Sequence, residues 1–208
     1  MKRYIFDLDG TIMNADYSIE DKYFEDRLGK ENANKLNSMK CYLVEEYERK
    51  FTNYDINLFS KFLTEKSGVY ISNEFVKEWI DAGSTFNDKL VDGIIPLLEY
   101  LKSNNKEIVL LSNWFLKTQK DRLEKQGLLD YFDEIYGGEI IMKPNRGAYI
   151  KGAGTEKLSN CVMIGDNYSK DVLGARRVGM NGIYFSPKED NIEDKYKVKK
   201  IIDIKEMF

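Results

Sequence analysis

Carboxylates follow two apolar segments of this sequence, at the points where those segments end. Asp7 and Asp9 come directly after the first apolar run, and Asp166 follows a second run at 161–164, with Asp171 five residues further on. Residues i and i+2 at the end of a strand point the same way, so Asp7 and Asp9 can face one site. Carboxylates that converge without a cation raise each other's pKa. The pattern therefore predicts a hard divalent cation such as Mg²⁺, which takes oxygen ligands and keeps waters for a phosphate.

Other polar groups suited to phosphate lie at comparable places. Ser112 and Asn113 follow the apolar run at 108–111, and Lys143 precedes Pro144. A hydroxyl and backbone N–H groups near a helix start can hold phosphate oxygens, and a lysine adds positive charge. The sequence contains no histidine, which excludes Ser-His-Asp and Cys-His machinery. A carboxylate is then the natural nucleophile, as in aspartyl-phosphate enzymes.

The elements that must position these groups are strands alternating with helices. Continuous apolar runs at residues 4–6, 108–111, 161–164 and 183–185 predict strands buried on both faces. Helical patterns separate them, which is typical of right-handed βαβ units and a parallel sheet. Ligands bind at the carboxyl ends of the strands in such a sheet, so the polar groups are predicted to share one edge.

The stretch from about 18 to 82 has a different character, because no strand pattern and no proline interrupts it. Its apolar residues recur at helical spacing: Met39, Tyr42, Leu43, Tyr47, Phe51, Leu58, Phe59, Phe62, Leu63, Phe75, Val76, Trp79 and Ile80. Ser72 is a predicted N-cap, and Gly68 a predicted helix end. We therefore predict an α/β core domain from residues 1–14 and 84–208, with an all-helical cap domain at 15–83, called the cap below.

Composition narrows the functional classes. The chain has 208 residues, 42% of them hydrophobic, and a net charge of −3 with both signs mixed. It can bury a core, and neither its overall charge nor the short lysine-rich segment at 195–200 gives reason to expect nucleic acid or a membrane surface as partner. No apolar run is long enough to span a bilayer and the start lacks a signal-peptide pattern, so a cytoplasmic location is expected. Cys41 and Cys161 are predicted to be buried, reduced thiols.

Four motifs carry a resemblance to a known family. Their sequences are Tyr4-Ile5-Phe6-Asp7-Leu8-Asp9-Gly10-Thr11, Leu110-Leu111-Ser112-Asn113, Lys143-Pro144, and Ile164-Gly165-Asp166-Asn167 continuing to Asp171 and Gly174-Ala175. Over essentially its full length the chain resembles the haloacid dehalogenase-like (HAD) hydrolase superfamily, in the phosphatase branch with a helical cap inserted after motif one. The resemblance implies a Rossmann-like parallel sheet.

The resemblance also implies catalytic roles. Asp7 would be the nucleophile that forms an aspartyl-phosphate. Asp9 would protonate the leaving alkoxide and then deprotonate the water that hydrolyses the intermediate. Lys143 would screen charge between nucleophile and phosphate. Dehalogenases and phosphonatases of the family lack an acid at the position of Asp9, so its presence points to phosphate esters.

The same resemblance implies a Mg²⁺ cofactor and the groups that bind it. Asp7 would contribute a carboxylate oxygen, Asp9 its backbone carbonyl, Asp166 a direct carboxylate ligand, and Asp171 a ligand through water or an orienting contact. On the substrate side, Ser112 would bond the phosphoryl group and Thr11 would support the nucleophile loop. The predicted substrate-binding residues are Thr11, Ser112 and Asn113.

These observations lead to a Mg²⁺-dependent phosphatase of a small phosphorylated metabolite, with no obligate protein partner evident. A phosphomutase or phosphotransferase shares every motif, and a non-catalytic phosphometabolite-binding protein is a further alternative. The cap is expected to select the substrate and to close about hinges at 14–16 and 83–85. Candidate gate residues are Tyr17, Tyr23 and Tyr54, with Trp114 opposite them on the core; the alternative is that most of these pack between cap helices.

Overall fold

The computed structural model describes residues 1–207 and contains a six-stranded parallel sheet. Its strands are β1 (Arg3–Phe6), β4 (Glu107–Leu111), β5 (Glu134–Tyr136), β6 (Cys161–Gly165), β7 (Asn181–Phe185) and β8 (Lys197–Val198). Their order across the sheet is β5-β4-β1-β6-β7-β8, and each neighbouring pair is parallel. Two further short strands, β2 (Met13–Asn14) and β3 (Lys89–Leu90), pair antiparallel. The predicted α/β, Rossmann-like sheet is thereby confirmed.

Eight α-helices accompany the strands in the described residues. They are α1 (Ser18–Leu28), α2 (Lys30–Lys50), α3 (Ile56–Ser67), α4 (Asn73–Gly83), α5 (Ile94–Ser103), α6 (Leu116–Lys125), α7 (Arg146–Ala153) and α8 (Gly174–Arg177). A π-helical turn at Tyr168–Leu173 leads into α8, and 3₁₀ turns lie at Leu129–Tyr131, Leu158–Asn160 and Ile201–Glu206. None of the helices in residues 1–207 is both long and apolar enough to cross a membrane.

Strand register aligns the ends that matter for chemistry. β1 lies at the centre, where Phe6 is opposite Leu110 of β4 on one side and Ile164 of β6 on the other. All three of these side chains are buried. Because the strands are parallel and in register, the segments that follow β1, β4 and β6 emerge side by side at one edge of the sheet.

The apolar core is divided between the sheet and the cap. Two clusters cover the sheet, one containing Phe6 and Leu97 and the other Ile5 and Tyr149. A third fills the space between α1, α2, α3 and α4. It also includes Phe115, which follows β4, and Met142, which follows β5. The cap thus has its own apolar interior while packing on the core along one side.

Helix boundaries follow the sequence patterns at most points. The Ser72 hydroxyl accepts a hydrogen bond from Phe75 N at the start of α4, and α3 ends at Gly68 in the left-handed conformation, both as predicted. The helical segment that follows β6 begins with the π-helical turn before it continues as α8. Cys161 is buried but Cys41 is exposed, so the burial predicted for Cys41 was wrong. The division into two domains at residues 14 and 84 stays a prediction.

Candidate active site

Lys143 lies at the centre of a group of carboxylates beyond the end of β1. Its ammonium is 2.9 Å from Asp7 Oδ1 and 2.7 Å from Asp171 Oδ1, and the lysine is 2% exposed. Asn113 holds its backbone, because Asn113 Nδ2 donates to Lys143 O at 2.8 Å and Lys143 N donates to Asn113 Oδ1 at 2.7 Å. The side chain of Asn113 therefore positions the lysine in this structure. Asn113 also lines the cavity described below, and its contact with a substrate stays a prediction.

Three carboxylates converge here. Asp7, Asp166 and Asp171 each offer one oxygen, and these oxygens all lie within 4.8 Å of one another. Asp171 is fully buried because the π-helical turn directs it inward: its N–H donates to Asn167 O at 2.7 Å, and its Oδ2 accepts from Asn167 N at 3.0 Å. Such turns inside helices occur frequently at functional sites. Three of the predicted metal ligands are thus brought together.

Two glycines permit this close approach. Gly10 has φ +73°, a conformation that favours glycine, and a Cβ there would lie 2.2 Å from Asp166 Oδ2. A Cβ on Gly165 would lie 2.1 Å from Asp171 Oδ2. Any larger residue at either position would push a carboxylate away from the group.

The electrostatics of the group fit a divalent cation. Burial, opposed by Lys143 and reinforced by Asp171 and Asp166, raises the pKa of Asp7 to about 7. Burial and the neighbouring Asp171 raise the pKa of Asp166 to about 6. The pKa of Lys143 rises despite its burial, because Asp171 and Asp7 stabilise its charged form. One ammonium does not compensate three carboxylates, and hard oxygen donors of this kind suit Mg²⁺.

Asp9 lies apart from that group and pairs with an arginine. Arg122 Nη2 is 2.7 Å from Asp9 Oδ1, and the same guanidinium makes two bonds to Asp88, of 2.9 Å and 2.8 Å. Arg122 is 2% exposed and the Asp88 side chain is fully buried, while that of Asp9 is 36% exposed. The carboxylate of Asp9 thus keeps an open side toward the cavity described below, and its side chain is not among the three converging oxygens.

The remaining predicted site residues have distinct environments. Ser112 is 3% exposed, and its hydroxyl accepts a 2.6 Å hydrogen bond from Gln119 Nε2. Gln119 Oε1 in turn accepts from Arg122 Nη1 at 3.0 Å, so Ser112 is linked to the arginine that holds Asp9. Thr11 is fully buried within the loop after β1, and its hydroxyl has no hydrogen-bond partner in residues 1–207.

A cavity of about 790 Å³ lies between this group and the cap, within the range usual for small-molecule sites. On the core side it is bounded by the carboxylates, Ser112, Lys143 and Lys170. The cap-side residues, with those joining the cap to the core, are Tyr17, Glu20, Asp21, Asn37, Lys40, Cys41, Val44, Glu48, Trp79, Gly83 and Phe86. We call these the cap wall.

Sequence reasoning missed the charged members of this cavity. Glu20, Lys40, Arg122 and Lys170 were not singled out, although each lines it. One signal was available: the α2 residues of the cap wall, at 37, 40, 41, 44 and 48, recur at helical spacing beside the apolar stripe. A polar stripe next to an apolar one is ordinarily a solvated face, so the pattern alone did not distinguish a cavity lining.

The four candidate gate residues divide evenly. Tyr17 and Trp114 line the cavity. Tyr23 packs against α4, and its hydroxyl donates to Phe75 O at 2.9 Å. Tyr54 is 2% exposed and donates to Glu48 Oε1 at 3.1 Å. Only the first two are placed to contact a molecule inside the cavity.

Comparisons with known proteins agree with the geometry. A model of the family described as haloacid dehalogenase-like hydrolase matches residues 1–179. The pyrimidine 5'-nucleotidase PynA of Streptococcus pneumoniae is 25% identical over 208 residues, covering 89% of this chain and 84% of that protein. The pyrimidine 5'-nucleotidase YjjG of Escherichia coli is 34% identical over 93 residues, covering 42% of this chain and 41% of that protein. The HAD-hydrolase YfnB from Bacillus subtilis, solved bound to magnesium, superposes with a TM-score of 0.75 at 20% identity, covering 99% of this chain and 98% of that one.

Proposed function

Because the chain belongs to the haloacid dehalogenase-like hydrolases, we propose that it is a Mg²⁺-dependent phosphatase of a small phosphorylated metabolite, working through an aspartyl-phosphate. The observation that carries the proposal is the position of Asp7. It follows the central strand, contacts the ammonium of Lys143 at 2.9 Å, and shares a 4.8 Å cluster of oxygens with Asp166 and Asp171.

Asp7 is the nucleophile in this proposal. One carboxylate oxygen forms the bond to phosphorus while the bond from phosphorus to the leaving oxygen breaks, which gives an aspartyl-phosphate and an alkoxide. The buried ammonium of Lys143 holds Asp7 in place and offsets the charge of the phosphoryl oxygens beside it. Asp7, Asp166 and Asp171 would hold Mg²⁺, which neutralises phosphoryl charge when bound. In the Mg²⁺-loaded state Asp7 is ionised despite its raised pKa, because a bound cation favours the charged form.

Asp9 is the acid and base of the proposed reaction. It donates a proton to the leaving alkoxide, and its carboxylate then accepts a proton from the water that attacks phosphorus and releases Asp7. Its partly exposed side chain lines the cavity next to Asp7, as these transfers require. The two-point contact with Arg122 fixes the orientation of the Asp9 carboxylate beside Asp7.

The names of two relatives guide the choice of substrates. PynA and YjjG are pyrimidine 5'-nucleotidases, so nucleoside 5'-monophosphates belong in the first panel together with sugar phosphates. Both classes fit within a cavity of about 790 Å³.

The experiment measures phosphate release from p-nitrophenyl phosphate and this panel, with Mg²⁺ and with EDTA, for wild type and Asp7→Asn. We expect metal-dependent release that the variant loses, while Asp130→Asn, an exposed aspartate elsewhere, retains it. Full activity of Asp7→Asn would refute the nucleophile. An isomerised sugar phosphate without free phosphate would indicate a phosphomutase, and no turnover by folded, Mg²⁺-binding protein would indicate a binding protein.

A further inference from the structure

Every lysine and arginine that lines the cavity is already paired with a carboxylate in the described part of the chain. The pairs are Lys40 with Glu20, Arg122 with Asp9 and Asp88, Lys143 with Asp7 and Asp171, and Lys170 with Glu48. Two of these pairs, Lys40 with Glu20 and Lys170 with Glu48, include a residue of the cap wall, whereas Arg122 and Lys143 hold Asp9 and Asp7. The end of the cavity that would hold the leaving group is therefore lined by charged residues, and both of its lysines are already paired with carboxylates.

The pair between Glu20 and Lys40 is built into the cap. Glu20 is 4% exposed, on the first turn of α1, and its other carboxylate oxygen accepts a hydrogen bond from the indole N–H of Trp79 on α4. Lys40, on α2, is 15% exposed in its side chain and lies 5.3 Å from the ring centre of Tyr17. Three helices thus converge on one carboxylate, which fixes its position.

From this arrangement we infer that Glu20 makes the enzyme selective for phosphate monoesters whose leaving group carries no negative charge of its own. A second phosphate or a carboxylate at this end would have to draw Lys40 away from Glu20. That would leave a buried carboxylate unpaired, which is strongly unfavourable. Aromatic rings of Tyr17, Trp79 and Phe86 line the same end and favour an uncharged partner. The inference rests on the proposed phosphatase activity.

Selectivity of this kind is confined to one end of the cavity. At the other end, Lys143 and a bound Mg²⁺ would compensate the negative charge of the transferred phosphoryl group. The charge of that group is therefore tolerated. The cap wall also carries the exposed carboxylate of Asp21, which adds to repulsion of an anion. One anionic group, the phosphoryl group itself, is the expected limit.

Two matched substrate pairs test the inference on the wild-type enzyme with Mg²⁺. Uridine 5'-monophosphate is compared with uridine 3',5'-bisphosphate for release of the 5'-phosphate, and glycerol 3-phosphate with 3-phosphoglycerate. We expect kcat/KM to be at least about tenfold higher for the member of each pair whose leaving group is uncharged, called the uncharged member below. Hydrolysis of p-nitrophenyl phosphate is measured in parallel, to establish that the proposed phosphatase activity itself is present.

The variant Glu20→Gln tests the residue. Its amide oxygen can still accept from Trp79, but the charge is gone, so Lys40 becomes available to an anion. We expect the preference for the uncharged member to fall at least about fivefold, through a lower KM for the charged one. Glu25→Gln makes the same change at an exposed residue of α1 outside the cavity lining and should leave the preference unaltered.

The outcomes separate the two proposals. Absence of p-nitrophenyl phosphate hydrolysis would remove the proposed function. Hydrolysis with equal or better use of the charged members would overturn the inference alone. If Glu20→Gln does not fold, as judged by its Tm, the wild-type ratios still decide the selectivity. Lys40→Gln then tests the pair. A weaker preference for uncharged leaving groups in Lys40→Gln would contradict the role given to Lys40.

Discussion

The two sides of the cavity treat charge in opposite ways. Around Asp7, the proposed nucleophile, three carboxylates meet one ammonium, and the pKa of Asp7 and that of Asp166 are both raised. On the cap wall, Glu20 and Lys40 compensate each other within one contact. A group of converging carboxylates with too few cations is costly to fold and favours a ligand of opposite sign, whereas a balanced pair needs none. In the proposed function, Mg²⁺ and the phosphoryl group bind beside the unbalanced group, and an uncharged leaving group lies beside the balanced pair.

The largest expected effect tests Asp9, the proposed acid and base that lies beside the unbalanced group. In Asp9→Asn, kcat for alkyl phosphates should fall roughly 10³-fold, because the leaving alkoxide no longer receives a proton and the attacking water no longer loses one to residue 9. With p-nitrophenyl phosphate, whose leaving group departs without protonation, a burst of one nitrophenol per enzyme should precede slow turnover, measured by stopped flow. Equal loss on both substrates without a burst would contradict the assignment of Asp9.

The next largest expected effect is a loss of folding stability when the arginine that pairs with Asp9 is removed. Arg122→Met leaves the buried carboxylate of Asp88 without its partner, so the free energy of unfolding should fall by about 3–5 kcal/mol. Urea denaturation measures it. Arg49→Met, which breaks an exposed pair with Glu45, should change it by about 0.5 kcal/mol or less. A small effect of Arg122→Met would mean that Asp88 reaches another partner.

Metal and pH should act together on the unbalanced side. Without metal, the raised pKa of Asp7 (about 7) and of Asp166 (about 6) means that the folded protein holds protons there which the unfolded chain has already released. Their contribution to stability is therefore present at low pH and is lost as the pH rises from about 4 to about 7. Excess Mg²⁺ binds the ionised carboxylates and should restore about 2–3 kcal/mol at neutral pH.

Calorimetry at about pH 5 and about pH 8, with EDTA or Mg²⁺, measures this interplay as a shift in Tm. The Mg²⁺-induced shift should be larger at the higher pH, and Asp166→Asn should reduce it. A shift that is independent of pH, or equal in Asp166→Asn, would contradict a metal site at these carboxylates. In Glu20→Gln the Mg²⁺-induced shift in Tm should be unchanged, because Glu20 is not one of the proposed metal ligands.

The smallest expected effect concerns the balanced side. Glu48 pairs with Lys170 at 2.5 Å across the contact between cap and core, and also accepts from Tyr54. Glu48→Gln should lower the free energy of unfolding by about 1–2 kcal/mol, less than Arg122→Met, because Lys170 is 22% exposed and can turn to water. Glu45→Gln on the exposed face of the same helix is the matched control.

Sequence patterns predicted which polar residues follow the ends of the buried strands, and the reason is physical. Buried parallel strands read as continuous apolar runs, and their carboxyl ends meet at one edge, so Asp7, Ser112 and Asp166 could be placed together from local patterns alone. The burial of Asp171 was harder, because it depends on a π-helical turn whose extra residue per turn no spacing rule anticipates. The contact of the Asn113 side-chain amide with the Lys143 backbone was not predicted, because thirty residues separate the two in sequence.

By itself, then, the amino-acid sequence determined the α/β sheet, the helical nature of the cap and the set of acids at the sheet edge, because each follows from residues close together along the chain. Only the tertiary structure decided which charges meet. Glu20 is twenty residues from Lys40 and fifty-nine from Trp79, and Asp9 is 113 residues from Arg122. Contacts at such separations depend on how helices pack, and the packing of the cap on the core decides which charges remain open to a ligand.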